Sequence, residues 1–312
     1  MIKIILLLCL ATSQSNTVKN PYQIYLDATT LCHEGRWTEA ITLYEKLISP
    51  EPYHEEKPHP EKAYRKEARA KAPAKKEVTA KTVEFLDDAH FWIGYCYIEV
   101  GDYKKALKTF KKFLKEFTGS EYADDAEYKI GEIYEKYLHN YGDAIKSYKR
   151  LVEKYATSNL ALQSQLRQAE IQERIYTDFD KAITDYKKVE SLNKAQNLTQ
   201  SSWYAKTAKE RIKFIKENSD FDWKPLKMYN QTLNKETKGL YDDALGGYRK
   251  LLEKYPDSNV ADDAQFRIAE ILKEQKKDKL SIEAYKLLVE KYPDSKYVPI
   301  IKTKFLTKKE EK

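Results

Sequence analysis

Histidine, a common metal ligand, and cysteine, a metal ligand and nucleophile, are both rare in this chain. The 312 residues include five histidines and three cysteines. His54 and His59 stand close to Glu55 and Glu56, a grouping that a metal ion could use. That stretch is rich in proline and has the composition of an exposed linker, so we expect no metal centre there.

No catalytic or cofactor motif accompanies these residues. The sequence has no nucleophile elbow, no glycine-rich loop that would cradle a phosphate and no HExxH zinc motif. It also has no CxxC or CxxCH spacing, which is the usual sign of zinc, redox or haem sites. The sequence therefore predicts a protein that is not an enzyme and that uses no cofactor.

An internal repeat in the sequence predicts that the chain is built from helices. The pentapeptide Lys254-Tyr255-Pro256-Asp257-Ser258 recurs as Lys291-Tyr292-Pro293-Asp294-Ser295, thirty-seven residues later. Glycine is scarce, with 9 residues, and charged residues make up 34% of the chain, a composition that favours helix. A fixed period of this length in a helix-rich chain predicts an all-α solenoid.

Each repeat is predicted to be a pair of helices joined by a tight turn. Gly94 precedes the turn at Gly101-Asp102, and Ala106 and Phe110 follow it. Small residues let two helices approach closely, and aromatic rings fill the space between them. This pattern resembles the tetratricopeptide repeat family, which implies a solenoid of helix-turn-helix repeats. The frame recurs at turns marked by Gly35, Tyr141, Phe179, Gly239 and Lys276.

The repeats are 37 or 38 residues long, which exceeds the usual length of about 34 in this family. The extra residues fall in the link between repeats, where we expect Ser258 or Ser295 to cap the helix that follows. The last repeat is loosely specified at its turn, because Lys276 replaces the glycine and Ser281 replaces the alanine of the second helix.

Two interruptions divide the predicted solenoid into two sub-arrays. A capping helix at 202–217 and a loop before Pro225 are expected to form the second interruption. The predicted segments are a first helix pair at 21–50, a linker rich in Pro, Lys and Ala at 51–82, repeats and the capping helix at 83–218, and two C-terminal repeats with a terminal helix at 219–312.

Residues 1–15 have the features of a short secretory signal peptide. Lys3 precedes an apolar run from Ile4 to Ala11, and small residues follow. The run is shorter than the ~20 apolar residues that a membrane-spanning helix needs. We therefore expect export, with lipidation at Cys9 as an alternative because Leu6-Leu7-Leu8-Cys9 resembles a bacterial lipobox.

The other two cysteines, Cys32 and Cys96, fall within helical patterns and are expected to be small buried hydrophobes. A disulfide between them is conceivable in an exported protein. Because the two residues lie two repeats apart, we expect no such bond.

The charge pattern gives little sign of a nucleic-acid partner. The net charge of +7 is mild for this length. The densest basic run, at 62–76, lacks the interleaved aromatic residues of a nucleic-acid platform. We therefore expect no nucleic-acid binding, while a peripheral or lipid-anchored association with an anionic membrane surface stays open.

The resemblance implies that function lies in a groove, because the first helix of each tetratricopeptide repeat lines a concave surface that binds partner proteins or peptides. One position of this helix is aromatic in five repeats, and Tyr95 lies one turn after one of them. Aromatic side chains are good anchors for a partner, although the same rings could serve only to pack the helices. The predicted groove residues are Tyr25, Phe91, Tyr95, Tyr128, Tyr229 and Phe266.

The leader and the Tyr-Pro-x-Ser links are similar to those of bacterial cell-envelope tetratricopeptide proteins, of the outer-membrane barrel-assembly lipoprotein or Tol-Pal coordinator type. This resemblance implies an exported, periplasmic or outer-membrane-associated scaffold that binds proteins of an envelope complex. Two alternatives stay open. They are a cytoplasmic adaptor or co-chaperone and an accessory subunit of an enzyme complex.

Overall fold

The computed structural model describes residues 21–48, 86–196 and 203–303, and they form an all-α solenoid, as predicted. The α-helices in chain order are α1 (Pro21–His33), α2 (Trp37–Ile48), α3 (Leu86–Glu99), α4 (Tyr103–Glu116), α5 (Ala123–Glu132), α6 (Tyr141–Lys154), α7 (Asn159–Ile171), α8 (Phe179–Ala195), α9 (Trp203–Glu217), α10 (Lys224–Thr237), α11 (Tyr241–Lys254), α12 (Ala261–Glu274), α13 (Asp278–Lys291) and α14 (Val298–Ile301). Helices α5 and α7 continue as π-helical turns, at Ile133–Tyr137 and Gln172–Tyr176.

Several predicted features lie outside the described residues. They are the leader at 1–15 with Cys9, the linker at 51–82, and His54 and His59. In the part of the chain that is described, no helix is both long and apolar enough to cross a membrane.

The chain divides into two compact units, unit 1 at residues 1–139 and unit 2 at residues 140–312. The predicted boundary between residues 218 and 219 therefore falls inside unit 2. One hydrophobic core in that unit runs from Leu162 to Ile301. The side-chain amide of Asn230 also donates to the backbone carbonyl of Glu173 at 3.1 Å, across the predicted boundary.

Helix α4 shows how the sequence specifies one of these helices. Its buried side chains include Ala106, Phe110 and Phe113, whose spacing of three or four residues places them on one stripe. Lysines cover much of the rest of the helix. The Asp102 side chain accepts a hydrogen bond from the Lys105 backbone N–H at 3.0 Å and caps the first turn.

Most helix pairs are joined by the tight turn that the sequence predicts. In unit 1 the N–H of Gly101 donates to the carbonyl of Ile98 at 2.9 Å, and Gly101 has a φ of +79°. This closure satisfies carbonyls at the end of α3 and favours glycine, which adopts a left-handed φ without strain. In the last repeat Lys276 occupies the same position with a φ of +58°, as its replacement of the turn glycine predicts.

Gly94 allows the two helices of its repeat to approach closely. A Cβ atom added at Gly94 would lie 2.8 Å from the ring of Phe110. The predicted role of a small residue at this position is therefore confirmed for the pair α3 and α4.

The duplicated pentapeptides lie side by side in unit 2. The hydroxyl of Tyr292 donates to the carbonyl of Pro256 at 3.1 Å, which joins the second copy to the first. The hydroxyl of Ser295 donates to the Asp262 carboxylate at 2.7 Å. The link thus connects one repeat to the next as well as ending a helix.

The prediction that Ser258 or Ser295 caps the next helix is wrong. Helix α12 begins at Ala261 and α14 at Val298, so both serines lie three residues before the helix. The reason is an extra turn of backbone at Asn259 and Val260, which leaves Val260 at the N-cap position without a side-chain hydrogen bond. Ser158, in the corresponding slot before α7, does cap its helix directly.

The loop expected before Pro225 is only a tight turn, because α10 already begins at Lys224. Three successive residues from Phe221 to Trp223 have left-handed φ values of 50°, 58° and 54°. The indole N–H of Trp223 donates to the carbonyl of Ile215 at 3.1 Å and holds the turn against α9. Helix α9 itself lies where the capping helix was predicted and packs on α8.

Candidate functional site

The repeated aromatic position of the first helix, here called the A helix, packs against the second helix, the B helix, of the same repeat. Four ring pairs, each nineteen residues apart, have centroid distances between 5.6 and 6.0 Å. They are Tyr25–Tyr44, Phe91–Phe110, Tyr229–Tyr248 and Phe266–Tyr285. The position therefore has a packing role in four repeats, and its contact with a partner stays a prediction.

Two of these rings are also covered on their other side. Tyr122, from the link after α4, stacks on Phe91 with centroids 4.7 Å apart. Tyr297, from the link after α13, stacks on Phe266 at 3.9 Å. Phe91 is only 7% exposed and Tyr128 only 9% exposed, so both offer little surface to a partner.

The tyrosines at this position use their hydroxyl groups within the solenoid. The hydroxyl of Tyr25 donates to the Asp88 carboxylate at 3.1 Å, which joins α1 to the A helix of the next repeat. Burial and then the Asp88 charge raise the pKa of Tyr25 to about 12. Burial also raises the pKa of Tyr229. Both phenols therefore stay protonated at neutral pH.

Tyr95 has different surroundings and forms the centre of a partly exposed group of rings. The Tyr95 cluster consists of Trp37, Trp92 and Tyr95, with Lys129 beside them. Ring centroids of Trp37 and Trp92 lie 6.2 and 5.5 Å from that of Tyr95. The Lys129 ammonium lies 5.6 Å from the Tyr95 centroid. All four side chains are half-buried, and they come from α2, α3 and α5 of unit 1.

Paired charges border the Tyr95 cluster. The ammonium groups of Lys129 and Lys136 donate to Glu132 at 2.8 and 2.5 Å. Burial alone would raise the pKa of Glu132, but these two hydrogen bonds outweigh it and hold the pKa below its usual value. Burial and then Glu99 raise the pKa of Tyr95. The surface thus presents neutral aromatic rings beside charges that are already compensated.

Unit 2 contains buried ionic contacts that the sequence analysis did not predict. Glu173 is fully buried and accepts hydrogen bonds from the Tyr186 hydroxyl at 2.6 Å and from the Arg211 guanidinium. Burial and then Glu173 raise the pKa of Tyr186, so its hydroxyl remains a donor. The contact joins α7, its B helix α8 and the following helix α9.

The same arrangement recurs one repeat later. Glu236 accepts from the Tyr248 hydroxyl at 2.7 Å and from the Arg267 guanidinium. In both cases an acid stands 12 or 13 residues before the buried tyrosine of the B helix. That spacing is visible in the sequence and could have indicated the contact between the acid and the tyrosine, but not the arginine that completes it. The acids and tyrosines are buried, and each contact joins three helices that follow one another along the chain.

His90 has a packing role in this structure. It is 8% exposed, its Nδ1 lies 2.8 Å from the carbonyl oxygen of Leu86, and its ring lies 5.0 Å from that of Phe117. Over residues 21–48, 86–196 and 203–303, no group of three or more His, Cys, Asp or Glu side chains could hold a metal ion.

A family model described as the tetratricopeptide repeat matches residues 88–120, 125–158, 228–258 and 263–295. These segments coincide with the helix pairs α3–α4, α5–α6, α10–α11 and α12–α13. Four of the six repeats predicted from the sequence are therefore confirmed by the family model. The pairs α1–α2 and α7–α8 lie outside the matched segments.

The matches among solved structures include two proteins named for these repeats. A tetratricopeptide repeat protein from Parabacteroides merdae is 11% identical, with 90% of this chain and 96% of that chain covered and a TM-score of 0.45. The C-terminal part of a TPR repeat-containing protein from Cytophaga hutchinsonii is 17% identical, with 88% and 97% covered and a TM-score of 0.35. An assembly chaperone of RpL4 is 14% identical, with 94% and 98% covered and a TM-score of 0.30. A comparison with curated proteins finds no match.

Proposed function

We propose that this chain, which contains tetratricopeptide repeats, is a non-catalytic scaffold that binds a segment of a partner protein on the surface of its A helices. The observation that carries the proposal is the Tyr95 cluster, where two tryptophans and a tyrosine remain partly exposed. Tryptophan and tyrosine are the residue types that most often dominate the energy of protein interfaces.

The chemistry of the Tyr95 cluster favours a partner with an apolar anchor. Its three rings offer apolar faces, while the neighbouring Lys129 already donates to Glu132. A partner carboxylate at Lys129 would therefore compete with an existing ion pair. We expect an aliphatic or aromatic side chain of the partner to lie on the rings, with polar contacts at the border.

The setting that we propose for this scaffold is the bacterial cell envelope, and its support is the leader-like sequence at 1–15. A cytoplasmic adaptor or co-chaperone fits the repeats equally well, as does an accessory subunit of an enzyme complex. Mass spectrometry of the N-terminus of the native protein separates these settings. A start after Ser13, or a lipidated Cys9, supports export, whereas an intact Met1 on the mature protein contradicts it.

The interaction surface is tested with a photo-crosslinking amino acid in place of Tyr95. Tyr22 is the matched control position, because it is also a tyrosine of an A helix and is 52% exposed. In native extracts we expect position 95 to crosslink to defined proteins, and we expect position 22 to crosslink to none of those proteins. The same crosslinks from both positions would contradict a specific surface at Tyr95.

A binding measurement with the identified partner completes the test. Tyr95→Ala should weaken capture by about tenfold or more without a change in the circular dichroism melt, and Tyr22→Ala should leave capture unchanged. Alanine at Phe91 or Tyr128 is less informative, because both side chains are buried and their loss also affects folding. Unchanged capture by Tyr95→Ala would overturn the assignment of the surface.

A further inference from the structure

Cys32 and Cys96 lie next to each other in the core of unit 1. Their sulfur atoms are 3.4 Å apart, and both side chains are buried as free thiols. The expectation of no bond rested on the two repeats that lie between the cysteines in sequence, and this contact shows that the repeats do not keep them apart in space. The A helices α1 and α3 also meet at a second contact, the hydrogen bond from Tyr25 to Asp88. Tyr25 and Asp88 are 63 residues apart along the chain, and the two cysteines are 64 apart.

The two thiols share a core cluster with small side chains. A disulfide requires the sulfurs to approach to about 2.0 Å, so a rotation of the side chains has to shorten the present contact. The same core cluster includes the small residues Ala28 and Ala89, each one helical turn or two from a cysteine. Their methyl groups restrict the sulfur atoms less than larger side chains would.

We propose that Cys32 and Cys96 form a reversible disulfide that ties α1 covalently to α3, with a small-molecule disulfide or the disulfide of an oxidoreductase as the oxidant. Nothing in this proposal depends on the interaction surface at Tyr95. The bond would join the first helix pair to the following repeat across residues 49–85.

The two cysteines have different roles in this reaction. Cys32 is 8% exposed and Cys96 is fully buried, so Cys32 is the thiol that an external disulfide reaches. The hydrogen bond from the Cys96 thiol lowers the pKa of Cys32 against the effect of burial, and the Tyr44 hydroxyl adds a further donor. The same contact raises the pKa of Cys96. Cys32 is thus the better nucleophile of the pair.

The reaction proceeds by two exchanges. The Cys32 thiolate attacks one sulfur of the external disulfide, which forms a mixed disulfide and releases one thiolate. Cys96 then gives its proton to that thiolate and attacks the Cys32 sulfur, which forms the Cys32–Cys96 bond and releases the second thiolate. This thiolate takes up the proton that Cys32 gave to the solvent when it ionised. The two protein thiols lose two electrons, and the external disulfide is reduced to two thiols.

The experiment uses the full chain, fully reduced and then incubated with glutathione disulfide, with remaining thiols blocked by N-ethylmaleimide after denaturation. We expect a Cys32–Cys96 peptide in a non-reducing digest, lighter by two hydrogens than the two reduced peptides together. The melting midpoint should rise by roughly 5–10 °C relative to the reduced protein, because the bond closes a long loop. Alkylation of both cysteines after full incubation would overturn the proposal.

Two variants identify the bond and the order of attack. Cys9→Ser should still lose two hydrogens, whereas loss of the bond in this variant would assign it to Cys9 and overturn the proposal. Cys96→Ala should retain a stable glutathione adduct on Cys32, because the second thiol is missing. If Cys96→Ala fails to fold, the non-reducing digest of the wild-type chain still decides whether the Cys32–Cys96 bond forms.

Discussion

Phe91 and Tyr95 lie one turn apart on α3, yet their surroundings give them different roles. Phe91 lies between the rings of Phe110 and Tyr122 and is almost fully buried. Tyr95 is half-buried in a cluster with Trp37. Of the predicted groove residues, Phe91 and Tyr128 are buried. The other four keep part of their rings exposed, and they are Tyr25, Tyr95, Tyr229 and Phe266.

Glu132 gives a prediction about pH at the scale of one residue. Its pKa lies below 4.5 in the folded protein, so its ion pairs stabilise the fold at neutral pH and lose this effect as the pH falls through the folded-state pKa. Glu132→Gln should therefore lower the free energy of unfolding by about 1 kcal/mol near pH 7 and by progressively less under acid conditions. Urea unfolding at a series of pH values measures this difference.

The control for this prediction is Glu121→Gln, at an exposed position of unit 1. We expect little change from that variant at any pH. A difference between wild type and Glu132→Gln that grows as the pH falls would contradict the sign of the assignment.

Two adjacent glycines of α11 test the helix interface at the scale of one element. A Cβ atom at Gly246 would meet nothing within 4 Å, whereas one at Gly247 would lie 2.5 Å from the buried side chain of Thr232. Gly246→Ala should stabilise the protein by roughly 0.5–1 kcal/mol through helix propensity. Gly247→Ala should destabilise it by about 1–3 kcal/mol, because the β-branched Thr232 cannot yield without moving α10.

Chemical denaturation of both variants measures these two free-energy changes. The pair provides its own control, since the same substitution is made at neighbouring positions of one helix. Equal effects of the same sign would show that the close approach of α10 and α11 does not limit the residue size at position 247.

The turn between α12 and α13 carries a second prediction at this scale. Lys276 has a left-handed φ of +58° at a position where Gly239 serves in the preceding repeat with +74°. Lys276→Gly should stabilise the protein by about 1 kcal/mol, because glycine adopts this φ without the steric cost of a side chain. Gly239→Ala should destabilise by a similar amount, and thermal melts compare the two. A destabilised Lys276→Gly would mean that the lysine side chain contributes more than the strain costs.

At the scale of the molecule, a solenoid is stabilised mainly by contacts between neighbouring repeats. Tyr297 stacks on Phe266 and donates to Asp263 at 2.5 Å, so it holds the last repeat together. Tyr297→Ala should destabilise this repeat by about 3 kcal/mol. Hydrogen exchange should then become faster in α12 and α13, while α7 and α8 keep their protection.

Hydrogen exchange measured by mass spectrometry on wild type and variant makes the comparison, and wild-type α7 and α8 are the internal reference. A uniform loss of protection across residues 159–291 would instead mean that the described part of unit 2 unfolds as one cooperative body. Such a result would contradict the nearest-neighbour description of this unit.

The fold was largely predictable because its units are local. The spacing of Gly94, Ala106 and Phe110 indicated two helices and a tight turn, and each relation spans fewer than twenty residues. The link was less predictable. The serines at positions 258 and 295 have the composition of helix caps, but an extra turn of backbone places the helix three residues further on.

Periodicity alone therefore specified the helix pairs, the turns and the resemblance to tetratricopeptide repeats, since these depend on neighbours along the chain. The contacts of Cys32 with Cys96 and of Glu173 with Arg211 became visible only in three dimensions. Which side chains of separate helices meet depends on the length of the link and the rotation of each helix about its axis. No local pattern encodes those two quantities, and they also decide why Tyr95 keeps part of its ring exposed while Phe91 does not.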